Sequence, residues 1–302
     1  MDKEFKTYNE QIELLKNKRL NIGDERQAIE ILKNISYFAL INGYKRPFKG
    51  DNGNYRSDAC FDDIVKLYDF DEKLRFFLLR QLLAVETRIK SSISYNFTQN
   101  YKVPNAYFDV NNFDYHGKNI TDINKLVSIL QGIHSDTSHP YIDHYQKKHN
   151  GNIPLWVIIN AMTFGQVSKM YSLLKAREQQ CICGDFGIAS QREMRSALDI
   201  LTLFRNVCAH NERLYDFKTQ RQIVKRYIEP LAQCDPDPDY NNMGKKLFGA
   251  LAFCSFIAPD RNILNDFKQL VNSSDIMKNQ RLRDRLIAKM GIPVNWLTDI
   301  RN

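Results

Sequence analysis

The run from Phe61 to Tyr101, FDDIVKLYDFDEKLRFFLLRQLLAVETRIKSSISYNFTQNY, limits the possible folds more than any other part of the chain. Its apolar residues recur at helical spacing. The first part, with Ile64, Leu67 and Tyr68, reads as a short helix ending near Asp69. From about Asp71 to Tyr95 the run is apolar on more than one side, and such a helix belongs at the centre of a core. Glu86 and Lys90 stand at i and i+4 within it, with Arg88 off their face. On a solvated surface that ion pair is worth about 0.2–0.5 kcal/mol. Leu82, Leu83, Val85, Ile89 and Ile93 surround it, an odd setting for an idle pair. No convincing alternation of strands, internal repeat or low-complexity tract appears, so the chain reads as all-α.

Capping signals divide the remainder. Thr7 and Glu10 have capping-box spacing before a short helix to about Arg19, and Asp24 with Gln27 starts a second. The second carries Ala28, Ile31, Leu32, Ile35 and Ala39 on one side and stops in INGYKRPFKG, at Gly43 and Pro47. There Tyr44, Lys45, Arg46, Phe48 and Lys49 form a basic aromatic patch, read more readily as core plugs with solvated lysines than as an RNA contact. Asp51–Ser57 is a polar loop and residues 103–115 are irregular. Ile120–Ile133 reads as a helix with Thr121 as its cap. Pro154 suits the first turn of a helix burying Trp156, Val157, Ile159 and Met162, and Gly165 suits a close helix crossing. Gln179–Ser190 reads as a loop, and the next helix runs from Gln191 to about Tyr215. After QCDPDPDYNN come an apolar helix over Lys245–Ile257 and a basic one over Ser274–Met290.

At 302 residues the chain has room for one large domain or two small ones. With 43% hydrophobic and 26% charged residues the composition is that of an ordinary soluble globular protein. No apolar run approaches a membrane span and MDKEFKTYNE has no signal-peptide pattern, so a cytoplasmic location is expected. A formal charge of +8 favours an anionic partner. The six cysteines contain no C-x-x-C pair, which predicts neither disulfide nor zinc. His134, His139, His144 and His149 recur every five residues, which scatters them around a helix and gives no ligand pair, so no metal or cofactor is expected.

Chemistry concentrates in Leu201–Asp216, LTLFRNVCAHNERLYD. On a helix Asn206, His210 and Arg213 fall at i, i+4 and i+7 on one face, flanked by Arg205. Leu203, Val207 and Leu214, with Ile200, Phe204 and Cys208, form the apolar face behind them. Imidazole titrates nearest physiological pH, and guanidinium clamps phosphate oxygens. The set suits cleavage of a phosphodiester. Lys218, Arg221, Lys225 and Arg226 follow at helical spacing; such a run is usually a solvated face, but here it adjoins a phosphate-suited site.

The string RNVCAH resembles the R-N-x-x-x-H motif of HEPN ribonucleases, and RNVCAHNERLYD resembles its form in the Abi-like (AbiD/AbiF) abortive-infection family. Further stretches are similar to that family in order: the Gly-Tyr and Pro-Phe of GYKRPF, FDDIVKLYDFDEKLR, and Pro-Leu-Trp followed by Thr-Phe-Gly-Gln, with MGIPVNWL resembling its ending. The resemblance implies a HEPN-type helical bundle over 61–232, carrying Arg205 and His210, between an N-terminal helical segment (1–60) and a basic C-terminal one (240–302). It implies an endoribonuclease of phage defence that needs no metal and leaves a 2′,3′-cyclic phosphate. His210 would transfer protons, Arg205 would bind the phosphate, and Asn206 would orient the imidazole or donate to phosphate. Glu86 would be the polar residue facing the motif from a neighbouring helix, and Arg213, Lys90, Lys218, Arg221, Lys225 and Arg226 would hold RNA. One histidine per motif implies a homodimer of facing half-sites. RNA is then the partner, as substrate and as a candidate antitoxin; DNA is not expected. Two other readings stay open: a non-catalytic RNA-binding protein acting by sequestration, and a helical scaffold whose charge only keeps it soluble.

Overall fold

The computed structural model of the protein describes residues 4–50 and 53–298, so Asp51 and Asn52 of the expected polar loop lie outside the described residues. Thr7 and Glu10 form the capping box of α1 (Tyr8–Asn17), the Thr7 amide donating to the Glu10 carboxylate at 2.6 Å. Asp24 caps α2 (Glu25–Ile35) by accepting from the amides of Arg26 and Gln27. Helix α2 stops earlier than Gly43, because Ser36 takes a left-handed φ of 66°; Phe38–Asn42 then forms one π-helical turn. Tyr44 and Phe48 of the basic aromatic patch are buried, so they plug the core.

Helix α3 is a single helix of 40 residues, Phe61–Asn100. The break expected near Asp69 is absent: Asp71 is buried within the helix and pairs with Arg75 one turn on, at 2.8 Å. At 1.5 Å per residue the helix is about 60 Å long and serves as the axis of the molecule. Leu67, Leu74, Leu78, Leu82, Val85, Ile89 and Ile93 form its buried side, while Phe76, Leu83 and Tyr95 face outward.

The helices that follow are α4 (Asn119–Ser135), α5 (Pro140–Lys148), α6 (Leu155–Ile158), α7 (Phe164–Leu173), α8 (Ala176–Asp185) and α9 (Gln191–Ala209). Helix α4 starts before Thr121, which is therefore not its cap. Trp156 is exposed, not buried, whereas Ile159 and Met162 are core residues. Much of the expected loop over Gln179–Ser190 is α8, whose inward side is partly polar. Glu178 accepts from Asn100 and Tyr101, and Gln179 donates to the Leu174 carbonyl at 2.7 Å. Helix α9 packs on α3, α7 and α8. A Cβ on Gly165 would stand 3.4 Å from Thr202, so α7 and α9 cross closely there.

The C-terminal part holds α10 (Tyr240–Gly244), α11 (Leu247–Ile257), α12 (Ile263–Ser273) and α13 (Gln280–Met290). Helix α12 had no counterpart in the sequence reading, and α13 begins later than Ser274, after a 3-10 turn over Asp275–Lys278. Helices α11 and α12 pack on the other side of α3, where Phe77 meets Phe267 and Arg261 donates to Gln81 at 2.9 Å. Trp296 is fully buried against Phe248 and Phe267 and locks the C-terminal segment to this group. Helix α13 returns to the N-terminal segment, where Arg285 donates to the Pro47 carbonyl at 3.0 Å. The structure is all-α: among the described residues only isolated bridges form, and no strand. Among them, too, no helix is long and apolar enough to cross a membrane.

Candidate active site

Helix α9 starts at Gln191 as the sequence predicts, with Ser190 capping it, but it ends at Ala209 and not near Tyr215. Asn211 takes a left-handed φ of 56°. The amide of Glu212 then returns to the Val207 carbonyl at 3.0 Å, and that of Asn211 to Cys208 at 3.4 Å. This double closure is a Schellman ending, in which asparagine serves in place of the commoner glycine. His210 is thus the C-cap residue, exposed at the helix end with its amide on the Asn206 carbonyl at 2.9 Å. Asn206 is exposed one turn earlier and Arg205 is half-buried. The Arg205 Nε is buried and has no hydrogen-bond partner among the described residues. Leu203 shares the outward side, 47% exposed, and so does not join the apolar face to which its spacing assigns it. Ile200, Phe204, Val207, Cys208 and Leu214 are buried behind. Burial pushes the Cys208 thiol up to about 12.

Because the chain turns at Asn211, Arg213 does not continue the face of Asn206 and His210. Its guanidinium pairs with Asp216 at 2.5 Å and donates to the Gly43 carbonyl, holding the turn after the motif against the segment before Arg46. Asp71 fixes that turn from the other side. Its carboxylate accepts from the amides of Leu214 at 2.9 Å and Tyr215 at 2.6 Å, from the Tyr44 hydroxyl at 2.8 Å and from Arg75. Burial pushes the Asp71 carboxyl up, against the pull of these donors. Arg75 also reaches the Glu212 carbonyl at 3.5 Å, and Tyr44 stacks on Tyr215. This network joins GYKRPF, FDEKLR and HNERLYD, three stretches singled out in the sequence for other reasons. Sequence reasoning missed it; the signal was an Asp and an Arg at i and i+4 inside an apolar run.

Glu86 and Lys90 pair at 2.7 Å with side chains about one-tenth exposed, and Lys90 also donates to the Met162 carbonyl at 2.8 Å. The pair is built into the junction of α3 with the start of α7. Neither hydrogen bond nor ion pair links Glu86 to Arg205 or His210 among the described residues, and the Glu86 Oε2 is buried without a partner. The run from Lys218 to Arg226 is not helical apart from a 3-10 turn at Lys225–Tyr227. Arg221 pairs with Asp199 at 2.9 Å, Lys225 with Glu229 at 2.9 Å and Arg226 with Glu193 at 2.6 Å. Lys218 is exposed with no ion pair among the described residues.

What these elements define is an all-α protein in which one core helix ends by presenting arginine, asparagine and histidine to solvent, on a turn clamped by a buried Asp–Arg pair. The model of the Abi-like protein family matches residues 30–216, more than half of the chain, and the chain belongs to that family. The match runs from α2 through the clamped turn and stops at Asp216, so α10–α13 lie beyond it. Membership carries a role in abortive infection in the general sense. No curated protein and no solved structure matches the chain.

Proposed function

We propose that this Abi-like protein is a HEPN-type endoribonuclease of phage defence that cleaves RNA without a metal, with His210, Arg205 and Asn206 as its catalytic residues. The observation that carries this reading is the end of α9. His210 and Asn206 are exposed one turn apart beside Arg205, on a helix end whose following turn is fixed by Asp71. In the proposed reaction the 2′-oxygen of RNA attacks the adjacent phosphorus and the bond to the 5′-oxygen breaks. The 2′-proton passes to a base and the 5′-oxygen receives one from an acid, which leaves a 2′,3′-cyclic phosphate and a 5′-hydroxyl. Arg205 offsets charge on the phosphate oxygens, and Asn206 orients the imidazole or donates to phosphate.

One chain supplies a single histidine at this place, whereas the reaction moves two protons. The proposal therefore includes a homodimer in which two α9 ends face each other, and exposed Leu203 beside Asn206 supports it. Glu86 acts in this scheme through its pair with Lys90, setting the junction beside α9. Lys218 holds flanking phosphate directly, and Arg221, Lys225 and Arg226 exchange their carboxylates for it; Arg213 positions the turn. A cognate antitoxin, a small non-coding RNA among the candidates, restrains the nuclease in the uninfected cell.

The test is cleavage of a generic RNA with EDTA present, by wild type and by His210→Ala and Arg205→Ala. Wild type should cut and leave cyclic phosphate ends. Both variants should fall by a factor of roughly 100 or more while keeping their fold. Cleavage retained by His210→Ala, or lost with EDTA and restored by Mg²⁺, overturns the reading.

A further inference from the structure

Beside the clamped turn lies a cleft of 530 Å³ lined by Arg46, Pro47, Tyr215, Asp216, Lys246, Arg285 and Lys289, with Asn242, Leu286 and Ala288 completing the wall. Four cations and one carboxylate face this space. The carboxylate is Asp216, already held by Arg213 at 2.5 Å. None of the four cations has an ion pair among the described residues. This sets them apart from Arg221, Lys225 and Arg226, each of which has its own carboxylate. Part of the positive excess behind the net charge of +8 is therefore uncompensated here.

The cations are also placed by the fold. Lys246 donates to the Ala288 carbonyl at 2.8 Å and Arg285 to that of Pro47 at 3.0 Å, which leaves further N–H groups of each uncommitted. The stem of Lys246 lies against Gly291, where φ is +73° and a Cβ would come within 3.0 Å of the lysine's own. Burial lowers the pKa of Lys246, Lys218 and Lys289 lower it further, and Asp239 partly offsets them. Four cations crowded this way, with Asp216 already held by Arg213, gain from an anion among them. The volume falls within the range of pockets that take nucleotide-sized ligands.

We infer that this cleft is a phosphate-binding site, taking a phosphoryl group of RNA or of a free nucleotide on Arg46, Lys246, Arg285 and Lys289. It is a separate site from the end of α9, and its occupancy does not require cleavage. The experiment uses the full-length chain with His210→Ala, so that RNA remains whole. A labelled short single-stranded RNA is titrated at several salt concentrations, and ATP and pyrophosphate are titrated by calorimetry. Arg46→Glu and Lys289→Glu, both at exposed positions, should each weaken phosphate ligands by roughly tenfold. For RNA each should also lower the salt slope by about 0.7. Lys246→Met should weaken binding as well, since it removes one of the four cations.

Binding of ATP or pyrophosphate that these changes weaken assigns the site to a free nucleotide. RNA binding so weakened, with no response to ATP, assigns it to the RNA backbone. Either outcome supports the site. Folded variants that bind as the parent does, or that lose no more than Lys147→Glu, an exposed lysine already paired with Asp143, overturn it, as does a parent that binds none of the three.

Discussion

Replacing Asp71 with alanine would leave the Arg75 guanidinium, 3% exposed, without its carboxylate and would strip the acceptor from two amides of the turn after the motif. Breaking a buried pair from one side costs about 3–5 kcal/mol, because the remaining charge stays buried. Asp71→Ala should lose stability on that scale in urea denaturation, and the proposed cleavage should fall too, although Asp71 touches no exposed residue of the motif. A loss below about 1 kcal/mol would show that water replaces the carboxylate and that the clamp is not what holds the turn. Asp71→Asn keeps an acceptor for the amides and should recover part of the stability. At this scale the sequence exposed the chemistry and concealed its support. Arg205, Asn206 and His210 are legible as residue types suited to phosphate, whereas the role of Asp71 depends on a turn 143 residues away.

Among the elements, α1, the start of α9 and the apolar α11 follow from capping signals and periodicity, since local rules determine them. Helix α8 was not legible because its buried face holds Glu178 and Gln179, satisfied by Asn100, Tyr101 and a backbone carbonyl; a hydrophobic pattern does not register such a face. The continuity of α3 was hidden for the same reason, a buried acid resembling a boundary. The end of α9 was misplaced because Asn211 supports either a further turn or a left-handed cap, and the sequence alone does not choose. Asn211→Gly, which takes positive φ freely, should leave stability within a few tenths of a kcal/mol or improve it. Asn211→Val should cost about 1–2 kcal/mol. Fraying can be followed at Cys208, whose thiol is buried and pushed up to about 12, so alkylation requires the helix end to open. Iodoacetamide should modify exposed Cys181 first and reach Cys208 faster in Asn211→Val than in wild type. Equal Cys208 rates in the two proteins would mean that the cap does not hold the helix end.

For the whole molecule, the long axis of α3 gathers segments that are far apart in the chain. Helices α11 and α12 cover one side, α9 another, and α13 comes back to Pro47 beside the turn after the motif. That return was invisible in the sequence, where nothing ties residue 285 to residue 47. It gathers four cations without ion pairs among the described residues in the cleft between Arg46 and Lys289, whereas Arg221, Lys225 and Arg226 are each paired. The remaining question at this scale is assembly. The proposed chemistry needs two histidines, and Leu203, 47% exposed, lies on the outward side of α9 with Asn206 and His210. If two α9 ends face each other, Leu203 sits in the contact, and Leu203→Glu places like charges opposite each other there. Sedimentation should then find wild type and His210→Ala dimeric and Leu203→Glu monomeric. The thermal midpoint of Leu203→Glu should stay close to that of His210→Ala, since the side chain is not part of the core. Cleavage should be lost in both variants for different reasons, one lacking the acid–base group and the other the second half-site. A wild-type chain that cleaves RNA at concentrations where it sediments as a monomer would remove the need for facing half-sites, and the second proton carrier would then have to come from the same chain.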